Sequence, residues 1–398
     1  MKFIKKQQYR DKKIAYIINH IDFFESHILP ITIKAKEKFK VKLFCGKSAS
    51  LEMQKNSLKS LKKNKIQVVE KNFSSSSVNF IKEFFNLISL IYSVNKYKPD
   101  IIHCATPKGI LLGGLVSFFL NVKSLIIFNS GMGFMFSNNL NFLQLLAKKT
   151  YFFFLKNIIM KHPNKKIIVE NIDDYKFLKK IFLLNNKEID LLNGSGVDLN
   201  KFKKININKN KTVLLPARVL KEKGIREFVL ASSKLKRKYP KWNFLIAGTL
   251  DYKKQSGFTD KELSSFQKNK SVEFLGYVKD ILKLYKKAAI VCLPSYREGL
   301  SRSLQEAAAL GIPVVTTDAI GCKDAIIPNK TGLLCKVKNS LSLEKKLEIL
   351  INNYKKRINY AKNGRLFAEK NFSLKKILDK NLEIYDYLVS NEKKINFN

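Results

Sequence analysis

Two glutamates and a glycine are spaced in a way that suits the binding of a sugar phosphate. Glu298 and Gly299 stand in a short polar segment, and Glu306 follows eight residues after Glu298. A carboxylate can accept hydrogen bonds from two vicinal hydroxyls, and a glycine lets a ligand approach the backbone closely. One carboxylate therefore suits a ribose and the other a hexose, with a phosphate between them.

The segments around these residues predict a strand, a loop, a helix and a second strand. One apolar run ends at Pro294, residues 300–310 have helical spacing, and another apolar run begins at Pro313. Ser301 and Ser303 are candidate N-caps of the helix. In a parallel sheet such a loop lies at the carboxyl edge, where the helix N-terminus attracts an anion. A phosphate is therefore expected at the start of this helix.

Two cations follow an earlier predicted strand. Residues 212–216 are apolar, and Arg218 and Lys223 come after them, five residues apart. Two cations at a fixed interval after a strand suit an anionic ligand. A later strand is predicted over 272–278 and contains Gly276.

Together, these motifs resemble the donor-binding signature of family 4 of the retaining glycosyltransferases, in the branch that acts in capsule, O-antigen and lipid-linked oligosaccharide synthesis. The matching stretches are Tyr296-Arg-Glu-Gly-Leu, Arg-Ser-Leu-x-Glu306-Ala and Gly311-x-Pro-Val-Val. Ser301 stands where the family has proline, and Gln305 stands where it has an aliphatic residue. The resemblance implies an α/β protein of GT-B fold: two Rossmann-like, doubly wound domains facing across a cleft, with a C-terminal helix crossing back to the first domain.

The resemblance also implies a role for each donor-side residue. Glu298, Arg218 and Lys223 are the expected catalytic residues, with the two cations on the diphosphate. The expected donor-binding residues are Glu306, Gly299, Leu300, Ser301, Gly276, Tyr277 and Val278. The substrate is then a nucleotide diphosphate sugar, expected to carry UDP, and neither a metal ion nor another cofactor is expected.

Motifs in the first half of the chain resemble the acceptor side of the same family. The expected acceptor-side or sugar-side residues are His27, Lys108, Gly131, Gly133 and Asn129. Many family members have a histidine near the position of Asn129, so no catalytic side chain of this half is assigned. Two other interpretations stay open: His27 as a cap of its own helix, and Lys108 as a solvated loop lysine.

A chain of 398 residues is too long for one core and predicts two domains. The expected divisions are 1–204 for the acceptor domain, 205–371 for the nucleotide-sugar domain and 372–398 for the returning helix. The polar run 203–211 marks the first boundary. Near the N-terminus we expect a strand over 13–18, a loop over 19–26 and a helix from about His27.

Composition restricts the partners and the compartment. The net charge of +43 comes mainly from lysine and is spread evenly along the chain, which favours an anionic membrane surface over nucleic acid. The five cysteines form no CxxC pair, the longest apolar run is too short to span a bilayer, and the N-terminus lacks a signal-peptide core. We therefore expect a cytoplasmic protein, peripheral on the inner face of the plasma membrane. The aromatic and lysine-rich helix predicted over 140–160 suits either membrane adsorption or core packing.

The predicted function is transfer of a hexose or N-acetylhexosamine to a polyprenyl-diphosphate-linked sugar in bacterial surface glycan synthesis. Two alternatives come from other classes. A nucleotide-sugar 2-epimerase shares the GT-B fold, but such enzymes carry catalytic carboxylates and histidines in both domains, and this chain has only four histidines. A non-catalytic basic protein that binds membranes or nucleic acid would show no nucleotide binding.

Overall fold

The chain folds into two compact units, each built on a parallel sheet. This computed structural model describes Tyr9 and residues 11–48, 51–73, 80–132, 142–207, 210–249 and 257–392. The first unit comprises Met1–Leu192 together with Leu378–Asn398, and the second comprises Asn193–Ile377. Both predicted boundaries, 204/205 and 371/372, lie inside the second unit. Val197 explains this, because it donates a hydrogen bond to the Phe372 carbonyl at 2.8 Å and accepts one from the Leu374 amide at 3.0 Å.

The first unit contains a seven-stranded parallel sheet in the order β3-β2-β1-β4-β5-β6-β7. Its strands are β1 (Lys13–Ile18), β2 (Lys40–Cys45), β3 (Gln67–Glu70), β4 (Ile101–Ala105), β5 (Ser124–Asn129), β6 (Lys165–Val169) and β7 (Ile189–Leu191). The central strands are buried along almost their whole length, as expected where helices cover both faces of a parallel sheet.

Helices connect these strands. They are α1 (Leu29–Ala35), α2 (Leu51–Lys63), α3 (Phe80–Tyr97), α4 (Pro107–Phe119), α5 (Phe142–Asn157) and α6 (Ile172–Ile181). The prediction of a loop over 19–26 was wrong. Helical structure already begins with Ile21–Phe23 and continues through a π-helical segment, Phe24–Ile28, into α1. Buried Ile21 and Phe24 explain the early start, because their side chains enter the core beside β1.

The second unit contains a six-stranded parallel sheet in the order β10-β9-β8-β11-β12-β13. Its strands are β8 (Thr212–Pro216), β9 (Asn243–Ala247), β10 (Glu273–Phe274), β11 (Ile290–Leu293), β12 (Val314–Thr317) and β13 (Gly332–Cys335). Its helices are α7 (Ile225–Lys238), α8 (Asp260–Lys268), α9 (Ile281–Tyr285), α10 (Arg302–Leu310), α11 (Ser340–Asn352) and α12 (Tyr354–Asn371). The strand predicted over 272–278 is only two residues long, and Gly276 after it has a φ of +64°, which extended backbone does not allow.

The last helix, α13 (Leu374–Glu392), starts in the second unit and packs on the first. Its Tyr385 is fully buried, and its hydroxyl lies 3.0 Å from the Tyr16 hydroxyl of β1 and 2.7 Å from Nδ1 of His103 in β4. Lys12 at the start of β1 pairs with Glu392 at 2.6 Å. A returning C-terminal helix is thus present, held by a buried polar cluster and by an ion pair.

None of the helices in the described part of the chain is both long and apolar enough to cross a membrane.

Burial of His103 predicts a specific acid sensitivity. Desolvation lowers its pKa to about 3. Below about pH 6.5 the imidazole of His103 takes up a proton in the unfolded chain but not in the folded chain. The contribution of the neutral histidine to the free energy of unfolding is therefore fully present above pH 6.5 and is lost as the pH falls towards 3. At pH 7 we expect the free energy of unfolding of the His103→Leu variant to be about 1 kcal/mol lower than that of wild type, because the hydrogen bond to Tyr385 is lost. Between pH 7 and pH 5 we expect wild type to lose about 2 kcal/mol more of its unfolding free energy than the variant.

Urea denaturation of the full chain at the two pH values measures this difference. If wild type and variant lose the same unfolding free energy between pH 7 and pH 5, His103 is not held neutral by burial.

Candidate active site

The sheet of the second unit has a topological switch point between β8 and β11. The chain leaves β8 towards β9 on one side, and leaves β11 towards β12 on the other. In open parallel sheets the crevice at the carboxyl ends of two such strands is the usual ligand site. The loops that follow β8 and β11 carry the cations and the carboxylate singled out by the sequence.

The two loops are joined by an ion pair. Nζ of Lys223 lies 2.6 Å from Oε1 of Glu298, and the two side chains are only 18% and 13% exposed. Arg218, two residues after β8, is exposed. The structure therefore brings Lys223 and Glu298 into direct contact, which the sequence did not predict, and it places Arg218 on the loop that also carries Lys223.

Tyr296 and Glu227 fix this arrangement, and only Tyr296 belonged to the motif seen in the sequence. The Tyr296 amide donates to the Glu222 carbonyl at 2.8 Å, and its hydroxyl donates to Oε1 of Glu227 at 2.9 Å. On the other side, the Glu298 amide donates to the Ile320 carbonyl at 3.0 Å. The loop after β11 is thus held between the loops after β8 and β12. No local sequence signal identifies Glu227, because its partner is 69 residues away.

Two glycines allow the three loops to approach so closely. Gly224 has a φ of +70°, and a Cβ atom there would lie 2.1 Å from the Pro294 carbonyl oxygen. Gly321 has a φ of +74°, and its Cβ would lie 2.3 Å from the carbonyl oxygens of both Glu298 and Gly299. Any side chain at these positions would push the carboxylate-bearing loop away from the lysine.

Helix α10 begins directly after this loop, with Ser301 as its N-cap. Of the two candidates predicted from the sequence, Ser301 is thus the N-cap residue, although its hydroxyl accepts no hydrogen bond from an amide of the first turn, and Ser303 lies inside the helix and is not a cap. Oγ of Ser301 instead lies 3.0 Å from Oγ of Ser303. Amide groups at a helix start that are not capped by a side chain suit an anionic ligand.

Glu306 lies inside α10, and both its carboxylate oxygens accept hydrogen bonds from the protein. Nε of Arg302 is 3.0 Å from Oε1, and the Tyr285 hydroxyl is 3.2 Å from Oε2. Burial raises the pKa of the Glu306 carboxyl above its ordinary value, while Arg302 acts in the opposite direction. The side chain is therefore fixed in place, and each oxygen keeps a second lone pair for a ligand hydroxyl.

The other donor-side candidates lie around the same edge of the sheet. Gly299 and Leu300 are buried, and Leu300 belongs to the apolar cluster against which Val278 packs. The Gly276 carbonyl accepts from the Gly248 amide at 2.8 Å, which ties the loop after β10 to the loop after β9. Tyr277 beside it is half exposed.

In the first unit the switch point lies between β1 and β4, and Lys108 follows β4. Its Nζ donates to Oε1 of Glu83 at 2.8 Å, in a pair with little solvent exposure. Thr106 just before it has a φ of +68°, a conformation that is rare for a residue with a branched side chain, and its Oγ1 accepts from the Asn19 amide at 3.3 Å. Strain of this kind is frequent at binding sites.

The remaining candidates of the first unit also follow the carboxyl ends of its strands. His27 lies in the π-helical segment after β1, stacks on Phe23 with ring centroids 4.4 Å apart, and has Nδ1 2.7 Å from Oγ of Ser26. Asn129 ends β5, and its Oδ1 accepts from the Gly131 amide at 3.4 Å. Because His27 lies inside the π-helical segment, it does not begin a helix, and the interpretation of His27 as a cap of its own helix is wrong. Gly133 lies outside the described residues.

Within the described ranges, no group of three or more histidine, cysteine, aspartate or glutamate side chains could hold a metal ion.

Two family models match this chain and together span both units. The model described as "Glycosyl transferase 4-like" matches residues 13–162, and the one described as "Glycosyl transferases group 1" matches residues 197–367. The second match contains Arg218, Lys223, Glu298 and Glu306.

Two relatives are similar over most of their length. An N,N'-diacetylbacillosaminyl-diphospho-undecaprenol alpha-1,3-N-acetylgalactosaminyltransferase of Campylobacter jejuni is 28% identical over 82% of this chain and 87% of its own. The capsular polysaccharide biosynthesis glycosyltransferase CapM of Staphylococcus aureus is 25% identical over 72% of this chain and 77% of its own.

Solved structures share the fold. A glycosyltransferase from Rickettsia africae superposes with a TM-score of 0.73 at 20% identity, covering 96% of this chain and 100% of that one. Anabaena HepE in complex with UDP gives a TM-score of 0.72 at 18% identity, covering 95% and 100%. At these identities the likeness shows the fold alone, and it confirms the fold class expected from the sequence.

The close approach at Gly224 predicts different effects for two glycine substitutions. Gly224→Ala adds a Cβ that meets the Pro294 carbonyl, whereas Gly276→Ala, at a similar φ of +64°, has no atom within 4 Å of its Cβ. Both variants bear a left-handed backbone strain of about 1 kcal/mol. The free energy of unfolding of Gly224→Ala should fall by about 1 to 3 kcal/mol more than that of Gly276→Ala, because the loop after β11 must move away from the new Cβ atom.

Urea denaturation of the two variants measures this difference, and UDP titration measures the effect on the site. Equal losses of stability in the two variants would show that the two loops are not in close contact.

Proposed function

The chain belongs to family 4 of the glycosyltransferases and has the GT-B fold, and from this premise we propose that it moves a hexose or N-acetylhexosamine from a UDP-sugar to a polyprenyl-diphosphate-linked sugar. The observation that carries the proposal is the contact of Lys223 with Glu298 at the switch point of the second unit, 2.6 Å apart. A lysine on one loop and a carboxylate on the other suit a ligand that bears both a phosphate and sugar hydroxyls.

The donor diphosphate takes the place beside Lys223 and Arg218, at the start of α10. A bound diphosphate offers Lys223 a second anionic partner besides Glu298. Glu298 can then accept hydrogen bonds from hydroxyls of the transferred sugar while it still orients the lysine. Glu306 is further along α10 and accepts from the ribose, with Arg302 and Tyr285 holding its carboxylate.

The reaction breaks the bond between the anomeric carbon and the β-phosphate oxygen and forms one bond from the same carbon to an acceptor oxygen. Negative charge develops on the departing β-phosphate, where two cations and a helix N-terminus stabilise it. The acceptor hydroxyl attacks from the face that the diphosphate leaves, and its proton moves to an oxygen of the leaving phosphate. UDP and a glycoside of retained configuration are the products.

The lipid-linked acceptor is supported by the names of the two relatives. One is named for a sugar on diphospho-undecaprenol, and the other for capsular polysaccharide biosynthesis. UDP as the nucleotide is supported by the HepE complex of the same fold. An acceptor anchored in the inner leaflet places the protein at the cytoplasmic face of the plasma membrane.

The positions of two histidines weigh against the epimerase alternative. His103 is fully buried against Tyr385, and His162 has Nε2 2.9 Å from the Val122 carbonyl oxygen. Both rings are therefore used in packing the first unit, and neither is placed for acid or base chemistry on a sugar.

Two glutamine substitutions separate the roles of the carboxylates. Glu298→Gln should mainly lower kcat, because it removes the charge that orients Lys223 and a strong acceptor for the transferred sugar. Glu306→Gln should mainly weaken UDP binding, because it removes a charged acceptor for the ribose. The loss of one charged hydrogen bond is about 1.5 to 3 kcal/mol, so each effect should be about 10- to 150-fold.

Steady-state transfer kinetics and calorimetric UDP titration separate the two effects. Glu348→Gln is a matched control, because Glu348 also accepts from a lysine and a tyrosine in the second unit but lies on its surface. If Glu298→Gln and Glu306→Gln both had the same kcat and UDP affinity as Glu348→Gln, the proposed roles of the two carboxylates would be contradicted.

A further inference from the structure

Helix α3 of the first unit carries an apolar stripe that faces solvent. Ile81, Phe84, Phe85, Ile88 and Tyr92 recur at helical spacing and therefore lie on one side of the helix. They are strongly exposed: Phe84 is 60%, Phe85 65% and Tyr92 72% accessible. The opposite side of α3 already supplies Leu90 and Val94 to the core. The stripe is thus additional to the face that holds the helix on the protein.

The neighbouring helices carry further exposed aromatic side chains. Helix α4 contacts both α3 and α5. Phe118 and Phe119 of α4 are more than half exposed, as are Phe142 and Phe153 of α5. We call the α3 stripe together with these four phenylalanines the aromatic face. Soluble proteins seldom expose a group of large apolar side chains on neighbouring helices unless the surface binds something.

The position of the aromatic face relates it to the acceptor side of the first unit. Helices in a parallel α/β unit run opposite to the strands, so α3, α4 and α5 all start at the carboxyl edge of the sheet. Ile81, Phe84 and Phe142 are near those starts, and Lys108 at the start of α4 pairs with Glu83 of α3. One end of the aromatic face therefore lies at the edge where the switch point opens.

The charges on the three helices are almost all positive. Their sequences contain six lysines and one glutamate, and that glutamate is the partner of Lys108. Lysines beside exposed aromatic rings match a surface that is apolar inside and anionic at its rim. A second copy of the chain matches this face less well, because a two-fold contact would bring two lysine-rich surfaces together.

We infer that the aromatic face binds an anionic lipid bilayer, with the α3 stripe inserted at the boundary between headgroups and acyl chains. This inference rests on the proposed function and deepens it by naming the surface that meets the membrane. It also explains how a lipid-linked acceptor reaches the first unit, because the inserted edge is the one at which its switch point opens. Lys96, Lys149 and Lys156, which are exposed on the same helices, contact the phosphates of the headgroups.

A flotation experiment with the full-length protein tests the inference. The vesicles contain phosphatidylglycerol and phosphatidylcholine in equal parts, or phosphatidylcholine alone. Wild type should bind the mixed vesicles, and the Phe84→Ser/Phe85→Ser variant should bind them about tenfold or more weakly, because both rings no longer insert. The Leu341→Ser/Leu366→Ser variant, which removes two exposed apolar side chains from the second unit, should bind as wild type.

Three outcomes would overturn the inference. They are wild-type protein that does not bind the mixed vesicles, a Phe84→Ser/Phe85→Ser variant that binds them as wild type, and a control variant that loses binding equally. Ultracentrifugation adds a fourth: a dimer that dissociates only in the Phe84→Ser/Phe85→Ser variant, with vesicle binding unchanged, would make this face a contact between copies.

Transfer from UDP-sugars to a short-chain, water-soluble prenyl-diphosphate sugar is measured in parallel. The Phe84→Ser/Phe85→Ser variant should keep this activity, since the acceptor no longer lies in a bilayer, and its unchanged rate also shows that the variant is folded. If wild type transfers to no acceptor but still binds vesicles, the proposed function fails while the membrane surface stands.

Discussion

The ion pair of Lys223 and Glu298 depends on three loops that must meet at one edge of a sheet. Two charges removed from water lose hydration, and at 2.6 Å their attraction and hydrogen bond offset part of that loss. The pair therefore needs close and fixed geometry, which Gly224, Gly321 and Tyr296 supply through backbone approach and hydrogen bonds. A diphosphate that binds here meets a lysine already held in position, so little reorganisation is needed when charge develops during transfer.

The first unit has a buried polar cluster on one side and exposed aromatic side chains on another. Its core side holds α13 through a buried cluster of Tyr16, His103 and Tyr385, which stays neutral because burial disfavours the charged histidine. Its solvent side presents the aromatic face. Lysines of the chain thus stand in two settings: Lys223 pairs with Glu298 in the second unit, and exposed lysines lie on the same helices as the aromatic face in the first.

Most of the fold and the motif residues could be predicted from the sequence, because apolar periodicity and turn residues are local signals. The strand before Pro294, the helix after it, and the positions of Lys223 and Glu298 are of this kind. Contacts between distant segments could not be predicted. Glu227 bonds to Tyr296 across 69 residues, and helical spacing over residues 80–94 gives no indication that one apolar stripe of α3 would face solvent. The early helix start at Ile21 was missed because buried Ile21 and Phe24 are mixed with polar residues.

The central claim is that the leaving diphosphate, stabilised by Lys223 and Arg218, takes the acceptor proton while the acceptor attacks from the same face. The most direct test is the anomeric configuration of the product, determined by NMR after transfer from a UDP-α-linked hexose or N-acetylhexosamine to a prenyl-diphosphate sugar. The account predicts an α-linked product. A β-linked product would mean attack from the opposite face and would contradict it.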